Sequence, residues 1–109
     1  MTFHCIGPLA ALWSDDMQRV SIGTRHVLVV RHGDQVNAFE DRCAHLGLPL
    51  SEGKLVGGVI ACRAHGWCYD ARTGRGTNPR GTQLTAFAVQ VRDGQVWIDA
   101  EPAAEAERT

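Results

Sequence analysis

Residues 43–67 read CAHLGLPLSEGKLVGGVIACRAHGW, and this stretch contains two short pairs of metal-binding side chains. The first pair is Cys43-x-His45, and the second is Cys62-x-x-His65. The segment between the pairs is long enough for a turn, a short strand and a return. The spacing therefore predicts two loops, each of which presents one sulfur and one imidazole nitrogen to a shared metal centre.

Two kinds of centre accept two thiolates and two imidazoles. In one class of [2Fe–2S] cluster, two cysteines hold one iron and two histidines replace cysteines on the other. A structural zinc ion accepts the same four ligands. Zinc modules usually open with two cysteines and close with two histidines, whereas each half of this pattern mixes the two residue types. The pattern therefore favours the iron–sulfur cluster, with a zinc-stabilised binding module as the remote alternative.

The sequence around these pairs resembles that of a known family. CAHLGLPLSEG at 43–53 and GGVIACRAHGWCYDARTG at 57–74 resemble the Rieske proteins, and the resemblance extends over almost the whole chain. Within that family, LSEG at 50–53 and the later TGRGTNP at 73–79 are most similar to the ferredoxins of soluble diiron monooxygenases of the toluene 4-monooxygenase type. The resemblance implies the Rieske fold and a Rieske-type cluster.

The implied cofactor is one [2Fe–2S] cluster held by Cys43, His45, Cys62 and His65. The implied role is that of a one-electron carrier with no turnover of its own. It would take electrons from an NADH-dependent flavin and iron–sulfur reductase and pass them to the diiron hydroxylase of an aromatic or alkene monooxygenase. A ferredoxin that serves a ring-hydroxylating dioxygenase is the alternative, because it would have the same cluster and a different partner.

The resemblance also indicates which residues surround the cluster: Leu46, Gly47, Leu48, Gly66, Trp67, Tyr69 and Pro79. Two of these residues have alternative roles. Trp67 either packs between the two parts of the fold, which we favour, or contributes to a docking patch for the partner. Pro79 either shields the cluster from water or forms an ordinary Asn-Pro turn.

The reduction potential is predicted from the same positions. Leu48 and Ala64 occupy positions at which the high-potential Rieske proteins of cytochrome bc-type complexes have a disulfide, and Trp67 replaces a serine that donates to the cluster there. Fewer donors leave the reduced cluster less stabilised, so we expect a potential in the lower part of the Rieske range of about −150 to +300 mV. Tyr69 matches a tyrosine that donates to a ligand sulfur in those relatives, and such a bond would raise the potential.

Composition fits a single small domain, 1–109, without nucleic-acid or membrane partners. The net charge of −1 lacks the basic excess of a phosphate-binding protein. The apolar stretch 5–13 is short, contains Gly7-Pro8 and is followed by two aspartates, which excludes a signal peptide or a transmembrane helix. We therefore expect a cytoplasmic monomer, in which Cys5 and Cys68 are free thiols and Cys68 is a small buried side chain.

Short strands joined by turns are predicted along the rest of the chain. His26–Arg31 is apolar on both faces and should be a central strand, while 87–91 alternates as if one face were buried. The turns 32–35 and 92–95 predict hairpins. The fold class is therefore all-β, an antiparallel sandwich or barrel. The Rieske resemblance adds a cluster-binding subdomain inserted at about 42–80, and the tail at about 102–109 should fray.

Overall fold

The computed structural model describes residues 3–44, 47–63 and 66–100. Within these ranges the chain forms two antiparallel sheets and two single-turn 3₁₀ helices. The all-β class predicted from the sequence is confirmed. No helix in the described ranges is long and apolar enough to cross a membrane. The predicted frayed tail lies outside the described residues.

The larger sheet has six strands in the order β1-β10-β9-β4-β3-β2. A 3₁₀ turn, Leu9–Ala11, links its first two strands along the chain. The strands are β1 (His4–Pro8), β2 (Asp16–Ile22), β3 (Arg25–His32), β4 (Gln35–Glu40), β9 (Ala86–Arg92) and β10 (Gln95–Asp99).

The smaller sheet has four strands in the order β5-β6-β7-β8, and it lies between β4 and β9 in the sequence. A second 3₁₀ turn, Leu50–Glu52, precedes it. The strands are β5 (Lys54–Val56), β6 (Val59–Ala61), β7 (Cys68–Asp70) and β8 (Gly76–Asn78). Both cysteines of the predicted ligand pairs lie in the loops at one end of this sheet.

Strand β3 has both faces buried, as predicted. Val27 and Val29 belong to a core under the larger sheet, together with residues of β9 and β10. Leu28 and Val30 belong to a second core that also contains residues of the smaller sheet. Because neighbouring residues of a strand point to opposite faces, the uninterrupted apolar run lets one strand contribute to both cores.

Both predicted hairpins are present, with two-residue turns after His32 and after Arg92. In the second turn, Asp93 and Gly94 have φ values of 51° and 73°, the left-handed region that such tight turns require.

Two predictions about burial were wrong in part. On β9, Phe87 is buried, but Val91 is 42% exposed because it lies at the end of the strand, beside the turn. Cys68 is only partly buried. Strand β7 turns the Tyr69 side chain towards the core, so the alternation of the strand directs Cys68 to the other face.

Candidate metal centre

The first cysteine loop, residues 42–50, folds back on Cys43. The Cys43 amide donates to the Leu48 carbonyl at 2.8 Å, and the Gly47 amide donates to the Cys43 carbonyl at 2.9 Å. Gly47 has φ 71°, and a Cβ there would lie 3.1 Å from the Arg42 guanidinium. The left-handed backbone conformation therefore favours glycine at this position, and the flexible Arg42 side chain would have to shift slightly for any larger residue.

The second cysteine loop, residues 62–67, has a matching turn. The Cys62 amide donates to the Trp67 carbonyl at 2.7 Å, and Gly66 has φ 67°. Gly66 follows Cys62 by the same interval as Gly47 follows Cys43. In their described parts, two segments with different side chains therefore share a closing hydrogen bond from the cysteine amide and a left-handed glycine at the same interval.

Both cysteines are buried in one shared core. Cys43 is 1% exposed and Cys62 is 4% exposed. They belong to the same buried cluster, together with Leu50, Ile60 and Tyr69. The fold thus brings the two predicted sulfur ligands into one apolar environment that excludes water.

Tyr69 connects the second loop to the first. Its hydroxyl lies 3.3 Å from Cys43 Sγ and accepts a hydrogen bond from the Ala44 amide at 3.1 Å. Burial, followed by the contact with Cys43, raises the pKa of Tyr69, so the phenol keeps its proton at neutral pH. Because its oxygen accepts from Ala44, its hydrogen can be donated to the sulfur. This is the geometry expected of a donor to a ligand sulfur.

The other predicted neighbours lie around these loops. Leu48 and Trp67 are partly buried and pack against the core that contains both cysteines, which supports the packing role for Trp67. Pro79 is exposed and directly follows β8, whose last residue, Asn78, pairs with Cys68. Gly66 is also exposed.

The two predicted histidine ligands, His45 and His65, and the predicted neighbour Leu46 lie outside the described residues. The described ranges contain the sulfur half of the predicted ligand set. This half fits an iron–sulfur cluster, because two buried thiols belong to one apolar core and one of them faces a protonated hydroxyl donor.

Asp41, which belongs to none of the sequence motifs described above, is 5% exposed and immediately precedes the first cysteine loop. Its carboxylate accepts from the Ser51 amide at 2.8 Å and from the Ser51 hydroxyl at 2.6 Å. Arg19 Nε lies 3.4 Å from the same carboxylate. The sequence could have indicated this contact only through position, because Asp41 and Ser51 flank the loop on either side.

Comparisons with known proteins identify the family of this chain. The family described as the Rieske [2Fe-2S] domain matches residues 2–88. The ferredoxin component of the alkene monooxygenase system of Xanthobacter autotrophicus is 36% identical over 92 residues, which cover 84% of this chain and 75% of that protein. The ferredoxin CarAc of Metapseudomonas resinovorans is 40% identical over 81 residues, which cover 73% of this chain and 76% of that protein.

A solved structure is similar over nearly the full chain. The complex of reduced oxygenase and oxidized ferredoxin in carbazole 1,9a-dioxygenase contains a chain that matches with a TM-score of 0.83 and 33% identity. The match covers 92% of this chain and 94% of that chain. The two chains therefore share the arrangement of both sheets.

The chain belongs to the Rieske [2Fe-2S] domain family, and the cofactor of that family is a [2Fe–2S] cluster. Its relatives at similar length are ferredoxin components of oxygenase systems. Within the family, this protein is an electron carrier of the ferredoxin type.

Proposed function

We propose that Cys43, His45, Cys62 and His65 hold the cluster, and that the protein carries single electrons to an oxygenase. The bound cluster supplies a site that accepts and releases one electron. The observation that carries the ligand assignment is the burial of Cys43 and Cys62 in one core, each with its amide bonded to the residue after a left-handed glycine. The two histidines complete the set by their spacing from these cysteines.

The described residues contribute to this function in two ways. The apolar side chains around the cysteines exclude water, which lowers the local dielectric constant and strengthens each interaction with the sulfurs. Tyr69 places a protonated hydroxyl 3.3 Å from Cys43 Sγ. A donor at this position stabilises the extra negative charge of the reduced state and raises the reduction potential.

The potential is expected in the lower part of the Rieske range of about −150 to +300 mV, raised somewhat by Tyr69. Trp67 replaces the serine donor of the high-potential proteins, and its partly buried ring packs against the core. A midpoint well above about +100 mV would contradict assignment to the oxygenase ferredoxins.

The proposed electron donor is an NADH-dependent flavin and iron–sulfur reductase, and the proposed acceptor is the diiron hydroxylase of an aromatic or alkene monooxygenase. The alkene monooxygenase ferredoxin of Xanthobacter autotrophicus supports this acceptor, because its match covers 84% of this chain. The carrier would act as a cytoplasmic monomer, in which Cys5 and Cys68 stay reduced.

The second candidate acceptor is the oxygenase of a ring-hydroxylating dioxygenase. Two observations favour it: the 40% identity to CarAc and the TM-score of 0.83 to the chain in the carbazole 1,9a-dioxygenase complex. Both candidates use the same cluster and the same direction of electron flow. They differ in the protein surface that receives the electron.

The first test is a low-temperature EPR spectrum of the protein purified without air and reduced with dithionite. A rhombic signal with an average g value below that of the free electron is expected of a Rieske cluster. A colourless protein that contains one zinc ion would contradict the proposal, since the four ligands would then form a structural zinc site.

The second test separates the two acceptors. The reduced protein is mixed in a stopped-flow instrument with the oxidised hydroxylase of the Xanthobacter alkene monooxygenase, and separately with the oxidised oxygenase of carbazole 1,9a-dioxygenase. Faster oxidation by the hydroxylase supports the monooxygenase assignment. Faster oxidation by the carbazole oxygenase supports the dioxygenase assignment.

A further inference from the structure

The two cysteine loops are closed at their bases in different ways. The second loop is flanked by Ala61 and Cys68, which pair with each other in the ladder between β6 and β7. The first loop is flanked by Asp41 and Ser51, which follow β4 and lie in the second 3₁₀ turn. Within the described ranges, no β-ladder joins these two flanks.

Side-chain hydrogen bonds close the first loop instead. The Asp41 carboxylate accepts from both the amide and the hydroxyl of Ser51, at 2.8 Å and 2.6 Å. The Asp41 amide donates to the His26 carbonyl of β3 at 3.0 Å. The backbone before Cys43 and the segment after the loop are therefore both fixed to the larger sheet through one residue.

Burial of the Asp41 carboxylate costs hydration free energy. Its side chain is fully buried, and the partly exposed Arg19 guanidinium lies 3.4 Å away. A buried charge requires hydrogen bonds to offset its lost hydration, and Asp41 obtains them from Ser51. The buried carboxylate, offset only in part by the solvent-exposed Arg19, therefore lies two positions before Cys43 in the sequence.

We infer that Asp41 is a positioning residue, which closes the first cysteine loop through Ser51 and lowers the reduction potential through its charge. The inference rests on the proposed function, because it takes Cys43 as a cluster ligand. An electron added to a cluster held by Cys43 is disfavoured by a buried negative charge two residues away in the chain, and a low local dielectric constant strengthens the effect. The hydrogen bonds from Ser51 hold the loop in the conformation that presents Cys43.

Two variants separate the charge from the closure of the loop. Asp41→Asn removes the negative charge and keeps the shape of the side chain, so the midpoint potential should rise. Ser51→Ala keeps the charge and removes one donor to it, so the midpoint should not rise. Because a hydrogen bond to a charged group is stronger than a neutral one, iron release from Ser51→Ala to a ferrous chelator should be about tenfold faster.

Matched controls are available on exposed sites. Asp16→Asn makes the same change of charge at an exposed residue at the start of β2, and its midpoint should equal that of the wild type. Ser21→Ala removes an exposed hydroxyl, and its iron release should be unchanged. Circular dichroism of each reconstituted variant checks that the sheets are retained.

The outcomes distinguish this inference from the proposed function. A wild-type protein without a Rieske EPR signal would contradict the proposed function. A wild-type signal combined with equal midpoints for Asp41→Asn and Asp16→Asn would overturn the role of the charge. Iron release from Ser51→Ala at the wild-type rate would overturn the closure of the loop, and this test remains valid if Asp41→Asn fails to bind the cluster.

Discussion

The two cysteine loops of this protein share a local fold but not their tertiary support. In both, a cysteine amide donates to the carbonyl of the residue that follows the left-handed glycine. The second loop, 62–67, is an extension of the β6–β7 hairpin, so backbone pairing defines its base. The first loop, 42–50, is closed at its base by side-chain hydrogen bonds between its flanking residues Asp41 and Ser51. The same closing hydrogen bond of the cysteine amide can therefore be supported by a β-ladder or by isolated side-chain hydrogen bonds.

The two loops also depend on one another. Tyr69 lies on the strand that leaves the second loop, and its hydroxyl contacts Cys43 and Ala44 of the first. The Arg63 side chain, in the second loop, forms an ion pair with Glu52 just after the first loop. The protein therefore holds its two sulfurs together by cross-contacts as well as by the shared core.

The largest effect on cluster binding is expected from substitution of the cysteines. Either substitution should have the same effect, although the two loops are supported differently. Cys43→Ala and Cys62→Ala should each abolish the cluster, as measured by visible absorbance and by iron content. Cys68→Ala is the matched control, because Cys68 is only partly buried and its thiol donates to the Gly66 carbonyl. A Cys62→Ala protein that retained a full cluster would contradict the ligand assignment.

The next effect concerns the point where the two loops approach each other in the fold. A Cβ at Gly53 would lie 1.9 Å from the Ala61 carbonyl oxygen, immediately before Cys62. Because backbone cannot move aside as a flexible side chain can, Gly53→Ala should lower the free energy of unfolding by about 3 kcal/mol and lower the temperature of cluster loss.

Gly58→Ala is the control for this substitution. Gly58 has φ 78° but no atom within 4 Å of the added methyl, so the cost should be limited to backbone strain of about 1 kcal/mol. Thermal unfolding followed by circular dichroism measures both variants. Equal destabilisation of the two would show that the contact with Ala61 is unimportant.

A smaller, specific effect is expected from Tyr69, whose hydroxyl contacts the cysteine of the first loop. Tyr69→Phe removes the hydroxyl beside Cys43 Sγ, and the reduced state loses a donor, so the midpoint potential should fall while the EPR signal persists. The Ala44 amide also loses its acceptor, which should cost about 1–3 kcal/mol of stability.

Protein-film voltammetry measures this midpoint against Thr73→Val, which removes a hydroxyl in the turn between β7 and β8. The Thr73→Val midpoint should match the wild type. A Tyr69→Phe midpoint equal to the wild type would show that the phenol does not donate to the sulfur.

The smallest effect is expected from the ion pair between the loops. Arg63 Nε lies 3.0 Å from Glu52 Oε1, but both side chains are more than half exposed, at 57% and 52%. Solvent screens such a pair, so Glu52→Gln should destabilise the protein by less than about 1 kcal/mol. The difference from the wild type, measured by urea unfolding, should vanish in high salt. A difference that persists in high salt would indicate a role other than charge pairing.

Several features of the fold were predictable because they depend on neighbouring residues. The uninterrupted apolar run of β3 predicted a strand with both faces buried, and Val27, Leu28, Val29 and Val30 are each 2% exposed or less. The hairpin turns were predictable from glycine and aspartate, which accept left-handed backbone. The burial of Cys68 was wrongly predicted, because the face of a short strand is set by the core residue beside it.

The sequence by itself determined the chemistry of the centre. Metal preference follows from ligand type and spacing, and both are local properties of the segment 43–65. The contacts around the sulfurs are made by the tertiary structure, and of the two described next the family resemblance had indicated Tyr69 but not Asp41. Tyr69 reaches Cys43 across 26 residues, and Asp41 closes a loop by bonding to Ser51. Such contacts depend on how the two sheets pack, and packing sums many weak interactions that no short sequence pattern encodes.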